Sequence, residues 1–159
     1  MIRIVLIAAA SSLIVALSPP AFAQEPGGTA AEAKAMLEKA VAAVKANKSK
    51  ALDMFNKGEG GFLDRDLYVF CDNIADGKVV AMGNPNAKYL LGKDARALTD
   101  VTGKVYGREI VDGQRKPEGQ ITEVRYLFQR PGADDTPVPK VSLVTRAGDL
   151  GCGVGYYKQ

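Results

Sequence analysis

The sequence contains no histidine and no tryptophan, and only two cysteines, Cys71 and Cys152, in 159 residues. Those absences exclude imidazole bases, Ser-His-Asp sites, His-ligated zinc and four-thiolate clusters, and most hydrolase and metalloenzyme chemistries go with them. An excess of one charge is also missing: 21 Lys and Arg face 18 Asp and Glu, a formal net charge of +3. So balanced a chain carries neither a nucleic-acid footprint nor an acidic tail. Its length, less a removable leader, is that of one ordinary domain with one core.

Residues 1–23 open with Met1 and Arg3, run uncharged from Ile4 to Leu17, break at Pro19-Pro20 and end Ala21-Phe22-Ala23. This is the pattern of a secretory signal peptide, leaving residues 24–159 as the mature domain. A retained membrane anchor is the competing reading, opposed by the prolines and by the small residues at the cleavage position. No cysteine follows the apolar run, so a lipid anchor has no attachment point. The expected location is the periplasm, with no membrane insertion after cleavage. In an oxidising compartment Cys71 and Cys152 read as one structural disulfide. Two buried free thiols are the alternative, and a redox-active pair lacks the Cys-x-x-Cys spacing.

Beyond a short linker, Thr29-Ala30-Ala31-Glu32 has the spacing of a capping box and predicts a helix start. Ala33, Met36, Leu37, Ala40, Val41 and Val44 then recur at steps of three and four, forming one apolar stripe. A second helix is predicted over Ser49 to Asn56, with Leu52 and Phe55 inward, ending at Gly58-Glu59-Gly60-Gly61. From Leu67 the pattern turns to short apolar runs: Leu67 to Ile74, an Asp76-Gly77 turn, and Lys78 to Met82. A surface loop is expected from Gly83 to Asp94 and a short helix from Asp100 to Ile110. Three strands follow, Ile121 to Gln129, Val138 to Thr145 and Cys152 to Tyr157, joined at Pro131-Gly132 and Ala147-Gly148-Asp149. Hairpins between strands, with helices before and among them, predict an α+β fold with an antiparallel sheet.

Gly58-Glu59-Gly60-Gly61-Phe62, Leu67-Tyr68-Val69-Phe70, Asp76-Gly77-Lys78, Asn84-Pro85 with Leu91-Gly92-Lys93-Asp94, Asp100 with Gly103-Lys104, and Cys152-Gly153-Val154-Gly155-Tyr156-Tyr157-Lys158 follow one another in an order that resembles a single Cache domain. Such domains are the extracytoplasmic sensor modules of bacterial chemoreceptors and sensor kinases. The resemblance spans nearly the whole mature chain. It implies a long first helix on a five-stranded, PAS-like sheet, and a small organic ligand (a carboxylate, amino acid or amine) between the sheet and its covering segments. Receptors of this kind continue into a transmembrane helix and an output module, whereas this chain stops at Gln159; binding without built-in output is therefore expected, with a membrane receptor or sensor kinase as partner.

Strand parity sorts the candidate residues. Tyr68, Phe70 and Asp72 share one face of their strand, and Val69 and Cys71 the other. Cys152, Val154 and Tyr156 oppose Gly153, Gly155 and Tyr157. If the first and last strands are neighbours, Cys71 and Cys152 can bridge. The glycine face lets something approach closely; packing of the Ala-rich first helix is the expectation there, a ligand floor the alternative. Tyr126 and Phe128 with Lys140 or Ser142 make an apolar pocket with one cation, suited to a small carboxylate, and Lys140 or Arg125 is the candidate cation. Tyr68, Phe70 and Tyr106 complete the candidate ligand contacts. Asp64, Asp66, Asp72 and Asp76 lack the glycine and glutamate of a calcium loop and are read as turn and strand-end residues. Lys45, Lys48 and Lys50 read as a solvated face. No cofactor and no catalytic residue is assigned, since no paired acid and base stands at local spacing. The alternative function is a docking module that has lost its pocket and pairs through its long helix with a protein partner or a second copy.

Overall fold

Thr29 accepts a hydrogen bond from the Glu32 amide while the Glu32 carboxylate accepts from the Thr29 amide, a complete capping box, and helix α1 runs from Ala30 to Ala46. The computed structural model describes residues 27–132 and 134–158; the expected leader lies outside them. The predicted stripe of α1 is buried at Ala33, Met36, Leu37, Ala40 and Val44 and half-buried at Val41. Asn47 both ends α1 and caps α2 (Lys48–Lys57), accepting from the Lys50 amide. Gly58 closes α2 in the left-handed conformation, at φ 71°, which glycine adopts without strain.

Six strands form the sheet: β1 (Leu63–Asp64), β2 (Leu67–Asn73), β3 (Val79–Met82), β4 (Thr122–Gln129), β5 (Pro137–Ala147) and β6 (Leu150–Tyr157). The two-residue β1 is the addition to the expected five. All pairings are antiparallel, in the order β1-β2-β6-β5-β4, with β3 also on β2. First and last long strands are therefore neighbours, and Cys71 stands opposite Cys152 in register. The two are joined as a disulfide, both wholly buried.

Each face of the sheet carries its own apolar cluster. Val69, Cys71, Cys152, Val154 and Leu143 meet Leu37, Ala40 and Phe55 of the two helices. Tyr68, Phe70, Val124, Tyr126, Phe128 and Val144 meet the covering segments on the other side. That cover departs from expectation. The segment after Gly83 is not a plain surface loop: a 3-10 helix spans Pro85–Leu90, buries Ala87 and Leu90, and a second spans Ala95–Ala97. The third helix, α3, runs from Tyr106 to Gln114 rather than from Asp100. Asp100 explains the difference, because its carboxylate accepts from the amides of Thr102, Lys104 and Leu127 and so holds a loop where the spacing suggested helix. Among the described residues no helix is long and apolar enough to cross a membrane.

Candidate functional site

The cavity grows out of strand register. Tyr126 stands opposite Lys140 and Lys140 opposite Tyr157; Val124 stands opposite Ser142 and Ser142 opposite Gly155. Phe70 faces Gly153 and Asp72 faces Gly151 across β2 and β6. Because side chains alternate, all of these point to the face away from α1. Three glycines at every second position of β6 make room for their neighbours. A methyl group at Gly155 would lie 2.0 Å from Lys140 Cε, one at Gly153 2.3 Å from Phe70 Cζ, and one at Gly151 2.4 Å from Gln114. The glycines thus form the floor across which Lys140, Phe70 and Gln114 lie. Helix α1 packs on the opposite face, against Cys152 and Val154, which corrects the expectation that it covers the glycines.

Above this floor lies a cavity walled by Tyr68, Phe70, Met82, Leu90, Tyr106 and Tyr126. Its space reachable by the centre of a water molecule is about 20 Å³, room for one or two waters. Tyr106 enters from the start of α3 and stacks on Tyr126 with ring centroids 4.0 Å apart and planes within 3°. Phe128 meets both rings edge-on.

Lys140 is the unusual residue of this face. Its side chain is buried, and its Nζ donates to the Tyr68 hydroxyl at 2.5 Å, the one direct polar partner it has among the described residues. Five aromatic rings surround the amine, with centroids 4.0 to 6.0 Å away: Tyr68, Phe70, Tyr126, Phe128 and Tyr157. Burial drives its pKa well below the usual lysine range, opposed only by the more distant charge of Asp66. The same burial pushes the Tyr68 and Tyr126 hydroxyls well above theirs. Tyr126 shares a 2.8 Å hydrogen bond with Ser142, and Tyr157 donates to the Gln129 carbonyl. The cage therefore holds an amine that gains from any anion able to reach it.

Asp72 occupies the other end, four residues along β2 from Tyr68, a distance of about 13 Å along an extended strand. Among the described residues it is the one charged residue lining the cavity, and its Oδ2 has no hydrogen-bond partner there. Burial raises its carboxyl to about 7, while the nearby Gln114 amide draws it down in part without an aligned hydrogen bond.

The model of the single Cache domain 2 family matches residues 7–157 of the sequence. The chain belongs to that family. Its fold is shared with solved chemotaxis proteins of low identity. A methyl-accepting chemotaxis protein from Vibrio parahaemolyticus RIMD 2210633 superposes with a TM-score of 0.63 at 22% identity, over 80% of this chain and 86% of that one. A periplasmic sensor domain of a chemotaxis protein gives 0.60 at 24%, over 80% and 88%. No curated protein matches the sequence. This Cache domain is thus a sensor-type domain of a family that works outside the cytoplasm.

Of the residues singled out in the sequence, the Cache fold brings together Tyr68, Phe70, Tyr106, Tyr126, Phe128, Lys140 and Ser142. It does not bring Arg125. That side chain is 66% exposed and paired with Glu123 at 2.6 Å, because position 125 falls between the inward Val124 and Tyr126. The same alternation within Thr122–Gln129 excludes it. Among the four aspartates, Asp64 pairs with Arg65, Asp66 accepts from the Gly28 amide and Asp76 from the Lys78 amide. Asp72 departs from the turn role, since it faces the cavity. Tyr157 and Gln114 were not singled out as contacts; the alternating Gly151, Gly153 and Gly155 were the signal that neighbouring side chains cross β6.

Proposed function

We propose that this Cache domain binds a small organic ligand, non-covalently and without chemical change, between its sheet and the 3-10 and α3 cover, and presents the liganded state to a membrane receptor, sensor kinase or transporter. The observation that carries the proposal is Lys140, a buried amine with a hydroxyl for its polar partner, caged by rings of which Tyr68, Phe70, Tyr126 and Phe128 also wall the cavity. Side chains placed for packing alone rarely leave an ionisable group in that state. A ligand carboxylate would supply the missing charge, and the Tyr68, Tyr126 and Ser142 hydroxyls would hold its oxygens. Kinship in fold with chemotaxis sensor domains supports the sensor role.

A thermal-shift screen of the purified protein against organic acids, amino acids and amines tests this reading. Ligand at a hundred times its Kd adds about 2.7 kcal/mol, or roughly 3 to 6 °C in a domain of this size. A saturable shift confined to one chemical class is expected, lost for carboxylates in Lys140→Met. That variant should itself melt no lower than the parent when empty, since an apolar chain replaces a buried amine. A flat screen would instead favour the docking reading, and a dimer held through α1 would then be sought by light scattering.

A further inference from the structure

The cavity has room for one or two waters, so an organic ligand enters it only if part of the wall moves. We infer that the segment from Pro85 to Leu91 is a lid on the cavity, latched shut by Lys88 onto the C-terminal end of α2. The latch is read from the empty domain; the lid's use as a gate for a ligand rests on the reading that the cavity is the ligand site.

The segment stands between two anchored points. At one end the Gly83 amide donates to the Val69 carbonyl; at the other the Gly92 amide donates to the Val79 carbonyl and the Val79 amide to the Lys93 carbonyl. Between these anchors the backbone bonds are local: the Ala87 amide to the Asn84 carbonyl, the Asn86 amide to the Asn84 side chain, and the Leu91 amide to the Lys88 carbonyl. Among the described residues only Lys88 carries hydrogen bonds from 85–91 to a distant element, its Nζ donating to the Asn56 and Met82 carbonyls. The Asn56 carbonyl is one that the cap of α2 leaves over, because the Gly58 amide turns to Met54 and Phe55. The Lys88 ammonium therefore sits at the negative end of that helix. Asn56 is itself pinned to β3, its side chain accepting from the Met82 amide and donating to the Val80 carbonyl. What Lys88 grips is thus fixed. What it holds is a single 3-10 turn, seated otherwise by buried Ala87 and Leu90, with Tyr89 61% exposed. Leu90 and Met82 both wall the cavity, so lifting the turn opens the cavity at its latched side.

Hydrogen exchange read by mass spectrometry on the purified, ligand-free protein tests the latch. In Lys88→Met, whose side chain keeps its length and loses its donor, peptides covering residues 84–91 should exchange at least tenfold faster than in the parent, with α1, β2 and β6 unchanged. Lys88→Arg, which keeps a charged donor, should recover most of the protection. Equal exchange over 84–91 in the parent and Lys88→Met would overturn the latch and leave the proposed function standing. An acceleration spread evenly over α1, β2 and β6 would overturn it as well, making Lys88 a general support of the fold. Fast exchange confined to 84–91 beside a flat thermal-shift screen would uphold the latch and remove the proposed function.

Discussion

A single buried carboxyl sets how the empty domain should respond to pH. Burial penalises the ionised form of Asp72 and pushes its carboxyl up to about 7 in the folded chain, against about 3.9 in an unfolded chain. The folded state therefore holds the proton over a window in which the unfolded state has released it. Stability from this group is complete below about pH 4, falls as pH rises towards 7 and then levels off. The gap corresponds to at most about 4 kcal/mol. Lys140 acts with the opposite slope: its lowered pKa means that stability from it is gained as pH rises towards the unfolded lysine value and lost as pH falls through the folded one. Urea unfolding of Asp72→Asn at pH 5 and pH 8 should show the variant close to the parent at pH 5 and more stable than it at pH 8. A stability difference between parent and Asp72→Asn that is the same at both pH values would remove the buried, ionisable Asp72 from the account.

At the scale of the element, what was legible in the sequence was periodicity, and what was not was anything set by a single side chain closing a loop. The stripe Ala33 to Val44 gave α1 with its capping box, and alternation along Tyr68-Val69-Phe70 and Val124-Arg125-Tyr126 gave the faces of β2 and β4. The start of α3 was missed because the Asp100 carboxylate competes for amides that would otherwise begin a helix. The 3-10 cover was missed because its short length leaves no period to read. Asp72 lay in plain view on the correct face, and only pairing with Gly151 shows that it is enclosed. Two glycines make the element argument testable. Inside a helix, Gly to Ala ordinarily stabilises by about 1 kcal/mol, yet a methyl at Gly107 would sit 1.7 Å from the Ala95 carbonyl oxygen. Gly107→Ala should therefore destabilise, by about 1 to 3 kcal/mol, through displacement of α3 from the cavity cover. Gly155→Ala should cost a similar amount by pushing Lys140 out of its ring cage. In a Lys140→Ala background that cost should fall to the share owed to Ser142 Oγ, 2.7 Å from the added methyl, a non-additivity measured by a double-mutant cycle. Additive losses would mean that Lys140 does not lie across Gly155.

The whole molecule is a sheet with a helical layer on one face and an aromatic-walled cavity on the other, and the disulfide belongs to the helical side. Cys71 and Cys152 face α1 from β2 and β6, 81 residues apart in sequence, so their bond closes most of the domain into one loop. Chain-entropy arithmetic for such a loop gives about 4.5 kcal/mol, nearly all of it exerted on the unfolded chain. The bond also pins the two strands whose other faces carry Phe70, Asp72, Gly153 and Gly155. Those strands are held besides by five register pairs, from Val69 with Val154 to Asn73 with Leu150. Stability and cavity geometry should consequently separate. In Cys71→Ala/Cys152→Ala the urea midpoint should fall by the equivalent of about 4 to 5 kcal/mol, while the ligand-induced thermal shift, measured well below the new melting temperature, keeps its parent size. Loss of the shift in a variant whose circular dichroism is unchanged would contradict this separation, and would mean that the bond fixes the relative position of β2 and β6 on which the cavity is built.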